Sequence, residues 1–305
     1  MNVLYIGVCK KNLELYYPSY IRGRFLDSPF TDDQLVATVK QHRINVLMVD
    51  VFHSSFNKCL LNRLKDHVRL INFSYQSIES LIDMQEAKRL GILVKKLPDD
   101  LYCNEVAEFA ITQLLCACKG SFRFDRDIRN GEWNQAAHTN FSMNGKTLGI
   151  VGYGNIGKRI ASLCKPWGMK ILVTKKSRHM GPQPAGITIV DFPTLISQSD
   201  FIILAVPIKK DTYQMVDRVH IQKLKKNTII VNISRGNIVD EKAIAEGLEK
   251  GNLYQYCTDV FSQEPIDKNH ELVKSNKTIL SPHIAWATDS SLKKTYDIWF
   301  GQTTI

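Results

Sequence analysis

The sequence predicts an α/β protein made of two doubly wound parallel-sheet units. Three observations carry that expectation. Short β-branched runs alternate with helical ones twice along the chain. At 305 residues the chain is longer than one hydrophobic core usually supports. No Gly/Ser linker, internal repeat or low-complexity tract separates the two alternations.

In the first alternation, residues 3–8, 46–51, 68–73 and 91–94 have the continuous apolar character of buried strands. A helix begins near Thr31, where Thr31-x-x-Gln34 forms a capping box, and residues 78–89 carry apolar side chains at helical spacing. The N-terminal MNVLYIGVCKKN has too short an apolar run for a secretory leader, so it is expected to be structure. A long segment opening at Asn104, VAEFAITQLLCAC, is apolar nearly all round, which implies burial either in a core or in a homodimer interface. The second alternation has strand candidates at 147–151, 170–174, 187–190, 201–205, 228–233, 254–258 and 278–281. The clearest helix between them, 240–250, starts acidic and has Gly251 as a C-cap.

Gly152-Tyr153-Gly154-Asn155-Ile156-Gly157 is a GxGxxG that follows a strand, TLGIV, and opens a helix, IGKRIASLC. In that setting the glycines permit a tight turn, backbone approach to a pyrophosphate and close helix packing, as in Rossmann domains that bind nicotinamide dinucleotides. The acidic residue that would accept ribose hydroxyls is missing at the end of the next strand. Thr174, Lys175, Lys176, Ser177 and Arg178 stand there instead. Cations and hydroxyls suit a 2′-phosphate, so NADP(H) is favoured with NAD(H) possible; the alternative is a solvated basic turn.

A net charge of +10 is consistent with such a cofactor and an anionic substrate. Lys and Arg are spread along the chain rather than gathered in an arm, which argues against nucleic acid as a partner. Seven cysteines without a CxxC pair read as thiols in a reducing cytoplasm, with no metal site. The longest apolar runs, such as 201–208, are too short to span a bilayer, and no membrane association is expected.

Three further patterns fall at strand ends of the second alternation: Asn232-Ile233-Ser234-Arg235-Gly236, Asp259-Val260-Phe261-Ser262-Gln263-Glu264-Pro265 and Ser281-Pro282-His283-Ile284-Ala285-Trp286. Reducing a ketone with a hydride leaves an alkoxide that needs a proton, which histidine can supply near neutral pH. A nearby carboxylate orients the ring, and an arginine fork matches the carboxylate of a 2-oxo acid. Arg235, Glu264 and His283 therefore make a complete set for reversible reduction of a 2-oxo acid.

With GKTLGIVGYGNIGKRIA, VNISRGNIVDEKAI, DVFSQEP and SPHIAWAT in this order, the chain resembles the D-2-hydroxyacid dehydrogenase family over nearly its whole length. The resemblance implies that Arg235 binds the substrate carboxylate and carbonyl, Glu264 pairs with His283, and His283 is the acid/base. It places Val206, Pro207, Thr212, Ile233, Ser234, Asp259 and Asn104 against the cofactor, with Glu108 matching the region that leads into the long helix. The HIAWAT form is similar to the glycerate dehydrogenase and hydroxypyruvate or glyoxylate reductase branch, with Trp286 either touching substrate or packing. It further implies a homodimer and a Rossmann cofactor domain, 98–284, inserted into a discontinuous flavodoxin-like substrate domain, 1–97 plus 285–305.

Two departures stand out. Where the family has a Gly-rich turn for the substrate carboxylate, this chain has Ser74, Tyr75, Gln76 and Ser77, whose side chains would have to contribute instead. After His283 it has one expected helix, 290–300, and then GQTTI, where relatives run further. The alternative function is a nucleotide-sensing, corepressor-like protein with weak turnover.

Overall fold

A computed structural model describes residues 2–7, 23–27, 29–50, 55–133, 135, 139–175 and 185–302. The chain divides into two compact units, Met1–Leu101 with Thr288–Ile305, and Tyr102–Ala287. These divisions fall at 101/102 and 287/288, against the 97/98 and 284/285 expected from sequence.

The first unit holds a five-stranded sheet in the order β2-β1-β3-β4-β5, every pair parallel. Its strands are β1 (Val3–Ile6), β2 (Gly23–Leu26), β3 (Val46–Val49), β4 (Leu70–Phe73) and β5 (Leu93–Lys95), crossed by α1 (Asp32–His42), α2 (Lys58–Leu64) and α3 (Met84–Arg89). The capping box at α1 forms in both directions, Gln34 N–H to Thr31 Oγ1 and Thr31 N–H to Gln34 Oε1. Leu35, Val39, Leu60, Leu61 and Leu64 are buried with the sheet residues Leu4, Leu47 and Ile71 in one apolar core. A C-terminal helix, Asp289–Gly301, belongs to this unit. Its Trp299 Nε1 donates to Asn72 O at 3.0 Å and Asn72 Nδ2 donates back to Trp299 O at 2.9 Å, clasping helix to sheet without exposure to water.

The second unit holds seven parallel strands in the order β12-β11-β10-β9-β6-β7-β8. In chain order its elements are α4 (Cys103–Lys119), α5 (Ser121–Arg129), β6 (Thr147–Val151), α6 (Asn155–Cys164), β7 (Lys170–Thr174), β8 (Ile187–Ile189), α7 (Phe192–Gln198), β9 (Phe201–Leu204), α8 (Arg218–Gln222), β10 (Ile229–Asn232), α9 (Glu241–Lys250), β11 (Gln255–Thr258), α10 (Glu271–Lys274) and β12 (Thr278–Leu280). Strand order reverses between β6 and β9, the switch point at which doubly wound sheets bind ligands. The long apolar helix α4 packs Ala107, Ala110, Ile111, Leu114 and Ala117 into the same core as Ile150, Ile160 and Ile203. Among the described residues no helix is long and apolar enough to cross a membrane.

Candidate active site

The chain must turn sharply between β6 and α6. Gly152 does so with a φ of 101°, and a Cβ on it would lie 2.4 Å from Ala205 O. A Cβ on Gly157 would lie 2.1 Å from Gly152 O, so only glycine lets helix and strand approach this closely. At Gly154 the situation differs: a Cβ would meet nothing within 4 Å, and the helix it caps has no side-chain cap. The N-terminus of α6 thus has no side-chain cap and leaves room at Gly154, an arrangement that fits a pyrophosphate. Thr174 Oγ1 accepts from Gly152 N–H at 3.2 Å, tying the end of β7 to the turn. Tyr153 and Ile156 pack partly buried on the core while Asn155 is exposed. Lys175 is exposed beside them. The sequence expectations on Lys176, Ser177 and Arg178 lie outside the described residues.

The carboxyl ends of β9 and β10 are joined by side chains. Ser234 Oγ accepts from Val206 N–H at 3.0 Å and donates to Leu204 O at 2.7 Å. Thr212 Oγ1 donates to Pro207 O at 2.8 Å and accepts from Lys209 N–H at 2.7 Å, closing the loop after β9. Asn232, fully buried, donates to Arg235 O at 3.0 Å and accepts from Ser234 N–H at 3.0 Å, so it shapes the loop that presents Arg235. Ile233 is buried, whereas Arg235 is exposed with Nη1 donating to Ser234 O at 2.7 Å. A Cβ on Gly236 would lie 1.9 Å from the carbonyl carbon of Phe261, so this loop seats directly on the next one.

Asp259, at the end of β11, is 1% exposed, yet its carboxylate is well supplied with donors. Oδ1 accepts from Ser281 Oγ at 2.6 Å and Ile284 N–H at 3.0 Å, and Oδ2 accepts from Ala285 N–H at 2.8 Å. These contacts grip the loop on both sides of His283, which has a left-handed φ of 56°. A non-glycine residue there costs on the order of 1–3 kcal/mol and persists only when its surroundings enforce it. Ser281 Oγ in turn accepts from Gln113 Nε2 of α4 at 3.1 Å.

Glu264 Oε1 accepts from Phe261 N–H at 2.9 Å, and Oε2 lies 2.7 Å from His283 Nδ1. The carboxylate is pinned by backbone on one side and pins the imidazole on the other. With Nδ1 engaged, Nε2 is the ring nitrogen left to exchange a proton. A cavity of about 580 Å³ opens beside the pair, walled by Phe261, Pro265, Ile266, Leu280 and Pro282.

Other expected site residues are placed as follows. Asn104 and Glu108 stand exposed one turn apart on α4. Trp286 is half-buried with its ring 5.4 Å from that of Tyr102, a packing contact inside the unit. Ser74, Tyr75, Gln76 and Ser77 follow β4 in the other unit. There Ser74 Oγ donates to Asp50 Oδ1 at 2.5 Å and Gln76 Nε2 to Pro98 O at 2.8 Å, so these two side chains are bonded within their own unit. Asn232 and Ser281 open two of the strand-end patterns but carry no role visible from sequence, and Gln113 lies unmarked in the apolar run of α4. The visible signal for Asn232 is a polar residue closing the apolar run Ile229–Asn232.

The family described as D-isomer specific 2-hydroxyacid dehydrogenase, NAD binding domain, matches residues 111–285. The glyoxylate reductase of Thermococcus litoralis is 37% identical over 215 residues, covering 68% of this chain and 64% of that protein. The glyoxylate reductase of Korarchaeum cryptofilum is 36% identical over 212 residues, again 68% and 64%. The matched stretch thus spans under two thirds of the length of these relatives. Among solved structures, a glyoxylate reductase from Paecilomyes thermophila superposes with a TM-score of 0.81 at 25% identity, covering 99% of this chain and 93% of that one. The apo-structure of D-lactate dehydrogenase from Escherichia coli gives 0.80 at 26% identity, covering 97% and 93%.

Proposed function

The chain belongs to the D-isomer specific 2-hydroxyacid dehydrogenase family, and from that premise we propose that it transfers a hydride between NAD(P)H and a small 2-oxo acid, forming the (R)-2-hydroxy acid. The observation that carries the reading is the 2.7 Å contact between Glu264 Oε2 and His283 Nδ1, at the end of the sheet that also bears the glycine turn. In reduction His283 Nε2 gives its proton to the substrate oxygen, and in oxidation it takes that proton back. Glu264 holds the ring in place through Nδ1. Arg235, exposed on the neighbouring loop, binds the substrate carboxylate and carbonyl through its fork of N–H donors. The nicotinamide, when bound, supplies or takes up the hydride.

Glyoxylate and hydroxypyruvate are the proposed substrates, a reading supported by relatives that carry the name glyoxylate reductase. NADP(H) is proposed over NAD(H), because exposed Lys175 stands where an acidic residue would accept the ribose hydroxyls. A cytoplasmic homodimer completes the proposal. Cys118, Cys164 and Cys257 are buried thiols suited to a reducing compartment, and Ile128 and Trp133 expose 53% and 81% of their surface near the end of α5.

The test is oxidation of NADPH and of NADH with glyoxylate, hydroxypyruvate, pyruvate and bulkier 2-oxo acids, repeated with His283→Ala and Arg235→Ala. Both variants should lose turnover and the product should be the (R)-alcohol. Wild-type rates in the variants, or an (S)-product, would overturn the assignment. Lys175→Asp should move the ratio of kcat/KM values toward NADH, and a wild-type preference for NADH would remove the cofactor reading. No turnover, with a protein partner captured only in the presence of NAD(P)H, would point to a nucleotide sensor instead.

A further inference from the structure

The seven-stranded sheet has a second concave feature at the end opposite the Glu264–His283 pair. A cavity of about 390 Å³ lies between the turn at Gly120, which joins α4 to α5, and the segments that enter β10, β11 and β12. Arg123 and Arg126 line it from one helical face of α5, three residues apart, and Lys277 lines it from just before β12. Asn227 and Asn276 add amides, and none of its lining residues is acidic.

Among the described residues these cations have few acceptors. Arg123 Nε is buried and has no hydrogen-bond acceptor among the described residues, although its guanidinium stacks 4.7 Å from the centre of the Phe124 ring. Arg126 Nη2 is 3.5 Å from Asp127 Oδ1, too long for a strong charge-assisted bond. Lys277 Nζ donates to Leu248 O at 2.6 Å, which employs one of its three protons. A buried N–H on a permanent cation is costly without an acceptor, and converging donors with no carboxylate among the lining residues suit oxygens from a bound anion.

We propose that this cavity binds a small multivalent oxyanion, a phosphate or a polycarboxylate, at a site separate from the dinucleotide turn and from the proposed catalytic pair. The site lies at the amino-terminal edge of the strands whose carboxyl ends carry Arg235, Glu264 and His283. Its occupant would link α4 and α5 to the sheet edge and so stabilise this unit.

The experiment is calorimetric binding of inorganic phosphate and of citrate at constant ionic strength, together with melting curves, each with and without saturating NADPH. The wild-type protein should bind one anion per chain with the dinucleotide present. Arg123→Gln/Arg126→Gln should weaken that binding by at least about tenfold, given the strength of charge-assisted hydrogen bonds. Arg218→Gln, which removes an exposed arginine paired with Glu246 elsewhere, should leave it unchanged. Should the double variant fold poorly, Arg126→Gln alone, at an exposed side chain, must still weaken binding. Phosphate binding without citrate assigns the site to phosphate groups, and the reverse assigns it to carboxylates. Absence of binding, equal binding in the arginine variants, or binding abolished by NADPH would overturn the proposal; the last would place the anion at the glycine turn.

Discussion

Two aspartates occupy equivalent places in the two units and are treated in opposite ways. Each directly follows a strand and continues its parallel ladder: Asp50 N–H donates to Ile6 O at 3.0 Å, and Asp259 N–H to Asn232 O at 3.1 Å. Asp259 is the more deeply buried, and its carboxylate receives a hydroxyl and two backbone N–H groups. Asp50 receives one donor among the described residues, Ser74 Oγ, and burial pushes its carboxyl above the usual range against the lowering effect of that bond. The contrast teaches where preorganisation has been built in. In the larger unit the buried carboxylate organises a loop that carries a strained histidine. In the smaller one it bears its charge at a cost to stability and holds only the first residue of the Ser74 turn.

The largest expected effect comes from the residue that the Asp259 network presents. His283→Asn keeps a side chain that tolerates left-handed backbone while removing the imidazole. Turnover should fall by about 10²–10⁴-fold, the usual contribution of a positioned acid/base. Dinucleotide binding and melting temperature should change little. A comparable fall in cofactor affinity would mean that the loop, rather than the ring, had been lost.

Next in size is Asp259→Asn. The amide can accept through one atom only and turns N–H toward donors that remain, so stability should fall by about 1–3 kcal/mol. Turnover should fall with it, because His283 loses its enforced φ. Gln113→Leu tests the same network from further away. It removes the donor to Ser281 Oγ and should lower kcat by less than Asp259→Asn does while leaving KM for the 2-oxo acid unchanged. If Gln113→Leu matched Asp259→Asn, the hydrogen bonds to Ile284 and Ala285 would not be what holds the loop.

The sequence reveals residues that announce their role locally and conceals those that act at a distance. The strand runs, the α1 capping box and the glycine turn are legible because propensity, spacing and burial agree within a few residues. Strand β2 has no such signal: GRFL is exposed or half-buried at the sheet edge, and a Cβ on its Gly23 would lie 2.7 Å from the Tyr5 ring, a constraint set by another strand. Helix α2 is short, and its cap rests on a single bond from Leu60 N–H to Asn57. In the site, Arg235, Glu264 and His283 are recognisable as chemical types at strand ends. Asp259 is legible as a polar residue, but its partners lie 22 to 26 positions along the chain, so its grip on the His283 loop emerges only from the fold.

The smallest effect expected is also the one with the opposite sign. Asp50→Asn keeps an acceptor for Ser74 Oγ and removes a buried negative charge. Because the folded-state pKa of Asp50 lies above its ordinary value, the native state holds this proton more tightly than the unfolded chain does. Wild-type stability from this group is therefore complete below the unfolded pKa and declines as pH rises through the folded one. Asp50→Asn should melt close to wild type near about pH 4 and above it at about pH 7, with the difference growing between them. Tyr75 supplies a second readout: burial, and then the Asp50 charge, pushes its phenol up to about 12. In the variant its ultraviolet titration should move to lower pH while burial keeps it above that of free tyrosine. A lower melting temperature at neutral pH would show that the Asp50 carboxylate is held by donors as Asp259 is, and the contrast between the two units would fail.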